Sequence, residues 1–135
     1  MIIVTGGLGF IGINLIKSLT ESRQEEIIVC DKRKTSKNLN ISKLNILNPD
    51  NLFDYLNKNK KNLNAIIHLG AVSDTTEKNI DLILNNNYYL SLELWNFCSR
   101  FNIKFIYASS AATYGNGFYG FDDDLKLSEL NKLQP

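Results

Sequence analysis

Apolar residues fall along the chain in short runs and helical stripes. Ile2, Ile3 and Val4 lead into Thr5 as a β-branched run at the N-terminus, and a helical stripe of Ile13, Leu15, Ile16 and Leu19 follows. Ile27-Ile28-Val29-Cys30 is a second strand, and Leu39 to Ile46 reads as a third of modest apolar character. Pro49-Asp50 opens a helix carrying Leu52, Phe53 and Leu56. A turn rich in Lys and Asn follows over residues 57–64. Ala65-Ile66-Ile67-His68-Leu69 reads as a buried strand. A long helix is predicted over Asn79 to Arg100, with Ile80, Leu84, Tyr88, Leu92 and Trp95 at helical spacing. Phe105 to Ala108 is the last strand of the series. Strands alternating with helices predict an α/β, doubly wound parallel sheet with helices on both faces and right-handed crossovers. Neither an internal repeat nor a linker interrupts it, so residues 1–135 are read as one domain. Ligands of such sheets lie at the carboxyl ends of the strands.

The junction of the first strand and helix is Gly6-Gly7-Leu8-Gly9-Phe10-Ile11-Gly12. Strand, glycine turn and helix together aim backbone N–H groups and the positive end of a helix dipole at one point, which suits a pyrophosphate. Gly6 and Gly7 permit the sharp turn, Gly9 lets a ligand approach the backbone, and Gly12 lets the helix pack close to the strand. An ordinary tight turn is the competing reading, but it has no need of glycine at all four positions. Asp31 ends the second strand, roughly 20 residues after the last glycine, where dinucleotide folds place a ribose-binding carboxylate. Lys32, Arg33, Lys34 and Lys37 come next. A carboxylate on the ribose 2′-hydroxyl favours NAD, whereas a cationic cluster favours the 2′-phosphate of NADP. The expected cofactor is NADP, with NAD as the alternative. A solvated charged loop competes as the reading of Arg33 and Lys34.

Composition narrows the class. The 135 residues are 44% hydrophobic and 21% charged, with a net charge of +1. Nothing in this balance calls for nucleic acid or a membrane as a partner. The N-terminal run lacks the basic start of a signal peptide, and no apolar run is long enough to span a bilayer. Cys30 and Cys98 fit buried free thiols in a reducing cytoplasm and form no metal spacing. His68 is read as a satisfied strand-end histidine. Trp95, Tyr88 and Tyr89 are read as core or helix-face packing. Asp122-Asp123-Asp124 is read as a solvated loop or a helix cap. Ser109 and Ser110 also suit a plain strand-end turn.

Thr5 to Gly12, Asp31, His68-Leu69-Gly70-Ala71, and Ser109-Ser110 with Tyr114-Gly115 together resemble the extended short-chain dehydrogenases/reductases, the nucleotide-sugar epimerase and dehydratase group. Three longer stretches resemble its ADP-glyceromanno-heptose 6-epimerase branch: Val72 to Glu77, Asn85-Asn86-Asn87-Tyr88, and Tyr107 to Gly115. The resemblance implies a Rossmann fold binding NADP and a nucleotide-sugar substrate. The implied activity inverts carbon 6 of an activated heptose by oxidation and re-reduction, serving lipopolysaccharide core synthesis in the cytoplasm. A homo-oligomer is implied as well. Phe10 and Ile11 would lie over the pyrophosphate, Asp31 and Lys32 would hold the ribose, and Lys37 would contact its phosphate. Leu69, Gly70, Ala71, Val72 and Ser73 would line the nicotinamide side, and Asn86 would contact the cofactor from the helix. Ser110 would hydrogen-bond the sugar oxygen as the catalytic hydroxyl. Leu69 is a departure, since that branch tends to carry an acidic residue there.

This group places its general base in a Tyr-x-x-x-Lys motif, and no tyrosine of the chain has lysine four residues on. The 135 residues are therefore expected to stop short of the catalytic helix and the substrate domain, and not to epimerise by themselves. Another nucleotide-sugar 4-epimerase or dehydratase, or a non-catalytic NADP(H)-binding module, remain open as alternatives.

Overall fold

In the structure, a computed structural model, residues 1–22, 25–32, 44–122, 124, 126–130 and 132 are described. Five strands form one parallel sheet: β1 (Ile2–Thr5), β2 (Ile27–Cys30), β3 (Asn45–Leu47), β4 (Ala65–His68) and β5 (Lys104–Tyr107). Their order is β3-β2-β1-β4-β5, so the chain reverses direction across the sheet between β1 and β4. This is the doubly wound arrangement that the alternation of strands and helices predicts. The third strand is present at Asn45–Leu47, beginning after Leu44 and running one residue past the expected end at Ile46; residues 39–43 of the expected run lie outside the described residues.

Register aligns the strand ends. Leu47 pairs with Cys30, Cys30 with Thr5, Thr5 with His68, and His68 with Tyr107. One row of residues thus crosses the whole sheet, and every strand reaches its carboxyl end there.

Alternation within the strands feeds two cores. Ile2 and Val4 of β1, with Ile27 and Val29 of β2, pack under Ile16 of α1 (Phe10–Ser22). Ile3, Ile28 and Ile66 face the other way, onto Leu52 and Leu56 of α2 (Leu52–Asn59) and onto Leu94, Phe97 and Cys98. Each fully buried Leu or Ile contributes about 1.5–3 kcal/mol relative to exposure. Asn48 caps the short turn Pro49–Asn51 ahead of α2, its side chain accepting from the Asp50 N–H at 3.0 Å.

The long helix is present in three joined pieces: α3 (Ile80–Ile83), a π turn over Leu84–Tyr89, and α4 (Leu90–Phe101). Asn79 caps its start and Asn102, at φ 53°, ends it in the left-handed conformation. The apolar residues at helical spacing are not the ones that enter the core. Ile80, Leu84, Tyr88, Leu92 and Trp95 are exposed, Trp95 by 53%. Leu94, Phe97 and Cys98 take the core instead, because they are the ones over Ile3 and Ile66. Asp122 and Asp124 are exposed, and the Asp124 N–H donates to Asp122 Oδ1 at 3.0 Å. A final short helix, α5 (Leu127–Leu130), lies beyond them.

Candidate dinucleotide site

Immediately beyond the aligned row, β1 turns into the glycine loop. Gly6 takes φ +64° and its N–H donates to the Cys30 carbonyl at 2.9 Å, tying the turn to β2. The Gly9 N–H donates back to the Gly6 carbonyl at 3.0 Å. A Cβ on Gly6 would stand 2.7 Å from Gly70 Cα, and one on Gly12 would stand 2.5 Å from the Gly6 oxygen. These two glycines serve the packing of the protein itself. Gly9 differs: a Cβ there would meet only the Gly6 oxygen, at 3.2 Å. Its outer face is open, where a ligand can lie against the backbone. Helix α1 begins at Phe10, and the N–H groups of its first turn point out of the helix end. Phe10 and Ile11 are exposed on that end.

Asp31 follows β2 on the same edge. Its Oδ2 accepts the Leu8 N–H at 2.9 Å. A carboxylate, an open glycine face and a helix N-terminus therefore converge, and these groups fit a dinucleotide: its pyrophosphate at the helix end and its ribose near Asp31. Lys32 is exposed beside Asp31. Arg33, Lys34 and Lys37 lie outside the described residues.

The strap after β4, Leu69 to Ser73, forms one wall of a cavity of about 820 Å³. Tyr88, Ser91 and Trp95 from the helix, and Tyr107 and Ser110 from the β5 side, make up other walls. Strap and sheet are joined twice at Thr5: its carbonyl accepts the Leu69 N–H at 3.1 Å, and its Oγ1 accepts the Gly70 N–H at 3.2 Å. On its far side the strap is clasped by Asn87, whose Oδ1 accepts the Val72 N–H at 2.7 Å and whose Nδ2 donates to the Val72 carbonyl at 3.0 Å.

Asn86 does not join this wall. Its Nδ2 donates to the Leu82 carbonyl at 2.8 Å, back along its own helix. Trp95, Tyr88 and Tyr89 are exposed and not core: Trp95 lies edge-on to Phe105 and Tyr88 against Tyr89 on the helix face, and Trp95 and Tyr88 also line the cavity. Leu69, Gly70, Ala71, Val72, Ser73 and Ser110 are brought together around it.

Ser110 is exposed and caps a short turn, Ala111–Tyr114, its Oγ accepting the Ala112 N–H at 3.2 Å. A serine oxygen polarised in this way keeps its own proton to donate. His68 is buried, and burial lowers its pKa. Both ring nitrogens are engaged: Nδ1 by Thr5 Oγ1 and Nε2 by Ser91 Oγ, the latter at 3.0 Å. That is the satisfied strand-end histidine the sequence suggested. Burial raises the thiols of Cys30 and Cys98, to about 12 and about 11, so both stay protonated. Among the described residues, no group of three or more His, Cys, Asp or Glu could hold a metal ion, and no helix is long and apolar enough to cross a membrane.

Residues 2–135 match the NAD dependent epimerase/dehydratase family. The chain belongs to that family. Among curated members, the ADP-L-glycero-D-manno-heptose-6-epimerase of Fusobacterium nucleatum is 48% identical, the match covering 100% of this chain and 42% of that protein. The enzyme of the same name from Brachyspira hyodysenteriae is 40% identical over 93% of this chain and 42% of its own length. Among solved structures, the Helicobacter pylori ADP-L-glycero-D-manno-heptose-6-epimerase superposes with a TM-score of 0.68 at 34% identity, covering 85% of this chain and 40% of that one. The chain thus spans about two fifths of the length of these epimerase/dehydratase family members.

Proposed function

We propose that the chain is the NADP-binding part of an ADP-glyceromanno-heptose 6-epimerase. The observation that carries this reading is the gathering of the glycine loop, Asp31, the strap and Ser110 on one sheet edge. The 48% identity to the Fusobacterium nucleatum heptose epimerase along the whole chain supports the heptose branch over other nucleotide-sugar epimerases. NADP over NAD is supported by Lys32 beside Asp31, with Lys37 further along the sequence.

A bound nicotinamide ring supplies the acceptor and donor of hydride. The chain's own residues do the rest. The glycine loop and the first turn of α1 bind the pyrophosphate, and Asp31 with Lys32 orients the ribose. The strap shields the reacting end from water. Ser110 donates its hydroxyl proton in a hydrogen bond to the sugar oxygen, holding it and stabilising charge that develops there. The proton of the sugar hydroxyl needs an acceptor that these residues do not provide, since no tyrosine here has lysine four residues on. The same reading makes the protein a cytoplasmic homo-oligomer. The buried, reduced Cys30 and Cys98 support the compartment.

Turnover is tested in the protein together with the segment its relatives carry beyond the matched part. Purified enzyme is incubated with NADP and ADP-heptose, and the two carbon-6 epimers are resolved. Interconversion is expected. Ser110→Ala should lower kcat by about 10²–10³-fold with NADP affinity unchanged. NADP binding without turnover of any sugar nucleotide would make the protein a sensing module, and turnover of a different sugar nucleotide would move the substrate.

A further inference from the structure

We propose that His68 is a positioning residue: as a neutral imidazole protonated on Nε2, it locks the Leu69–Ser73 strap and so sets how tightly the dinucleotide is held.

Proton bookkeeping fixes the tautomer. The only proton of Ser91 Oγ goes to the Asn87 carbonyl, at 2.8 Å. Ser91 can therefore meet His68 Nε2, at 3.0 Å, only as an acceptor, so Nε2 carries the hydrogen. Nδ1 is left as a lone pair, and the Thr5 hydroxyl donates to it. That hydroxyl oxygen in turn accepts the Gly70 N–H at 3.2 Å. The chain of bonds has one direction. It runs from Gly70 through Thr5 to Nδ1, and from Nε2–H through Ser91 to the Asn87 backbone.

Both ends of this chain act on the strap. Gly70 is in it. Asn87, whose backbone receives the Ser91 proton, grips Val72 with its side-chain amide. His68 thus connects two grips on a five-residue segment, one from β1 and one from the π turn. The ring is 3% exposed and stacks beside Phe105, with centroids 6.2 Å apart. The opposite tautomer would set two lone pairs against each other at Ser91 and leave the Thr5 proton to find another acceptor. Losing a buried bond of this kind exposes the cost of an unsatisfied group, which is what holds the arrangement in one state.

The effect on binding rests on the dinucleotide reading above; the tautomer and the lock do not. His68 is the single histidine of the 135 residues, so long-range ¹⁵N–¹H spectra of this chain contain one imidazole. The expected pattern is a protonated Nε2 and an unprotonated Nδ1. An Nδ1–H ring, or an average of the two tautomers, would overturn the proposal. Amide hydrogen exchange is then compared at Gly70 and Val72, with Ile3 and Ile66 as core references. His68→Phe keeps the shape and the stack but neither bond. It should speed exchange at Gly70 and Val72 by about tenfold relative to the references, and raise the Kd for NADP by a similar factor. His68→Gln, which offers one acceptor and one donor, should recover part of both. Equal acceleration at all four amides would mean a merely structural histidine and would sink the positioning role. If His68→Phe does not fold, Ser91→Ala removes the Nε2–H acceptor and should give tautomer averaging with faster strap exchange; unchanged values there would overturn the lock. A wild-type chain with the expected tautomer and exchange but no NADP binding would uphold the lock and remove the dinucleotide reading.

Discussion

The carboxylate of Asp31 accepts the backbone N–H of Leu8 at 2.9 Å, so the residue that follows β2 holds the loop that follows β1. Asp31 was expected from sequence as a ribose ligand alone. In the structure its carboxylate braces the glycine loop, whose shape any pyrophosphate would meet. Asp31→Ala should therefore weaken the chain before any ligand is added. Loss of a hydrogen bond to a charged group costs about 1.5–3 kcal/mol. Urea denaturation should show that loss in Asp31→Ala, with less in Asp31→Asn, which keeps an acceptor. Equal stabilities for all three chains would show that the brace carries no energy.

Two glycines should separate folding from binding. Gly12→Ala forces a methyl to within 2.5 Å of the Gly6 oxygen and 2.6 Å of Gly7 Cα, both backbone atoms that cannot turn aside. Overpacking of this kind typically costs about 1–3 kcal/mol. Gly9→Val adds a Cβ that meets only the Gly6 oxygen, at 3.2 Å. It should fold with a Tm lowered by a few degrees at most, yet show no NADP binding by calorimetry. Near-normal affinity in Gly9→Val would refute the cradle.

Cofactor choice should lie with the lysines. Lys37→Ala is expected to weaken NADP binding by roughly 1.5–3 kcal/mol, the worth of one charge-assisted bond, and to leave NAD nearly untouched. Parallel titrations with the two dinucleotides decide it. Equal losses would take Lys37 away from the 2′-phosphate.

Acid should destabilise the chain through His68. Its folded pKa lies below the ordinary 6.5 because burial penalises the charged ring. The unfolded chain thus binds the proton more readily, and unfolding is favoured as protons become available. The stability attached to the neutral ring is complete above pH 6.5 and is lost as pH falls through that value towards the lowered folded pKa. Unfolding free energies across this window should fall in the wild type and run flatter in His68→Gln. With one histidine in the chain, no other imidazole can blur the comparison.

The fold and the placing of the glycine loop and Asp31 on one sheet edge were legible because their signals are local. A β-branched run, four glycines and a strand-ending aspartate each declare themselves within a few residues. The facing of the long helix was not local. Ile80, Leu84, Tyr88, Leu92 and Trp95 form one helical stripe; Leu90, Leu94, Phe97, Cys98 and Phe101 form another. Only the position of Ile3 and Ile66 beneath the helix selects the second. The Asn85-Asn86-Asn87 run posed the same difficulty at finer scale. Asn86 and Asn87 carry the same side chain, yet Asn87 grips the strap while Asn86 bonds its own helix. Ser91 carried no signal at all, since its role depends on a histidine on another element.

The π turn over Leu84–Tyr89 also bears on how this region can change length. A π turn holds one residue more than an α turn. Deleting one of the three asparagines would restore a plain α-helix. Because the extra residue is taken up within the turn itself, its loss would leave the segments on either side facing much as they do now, with Leu94, Phe97 and Cys98 still in the core. The asparagine run is therefore where this helix can lose a residue with least disturbance to the core, whereas a deletion within Leu90–Phe101 would turn the residues on one side of it by about 100°.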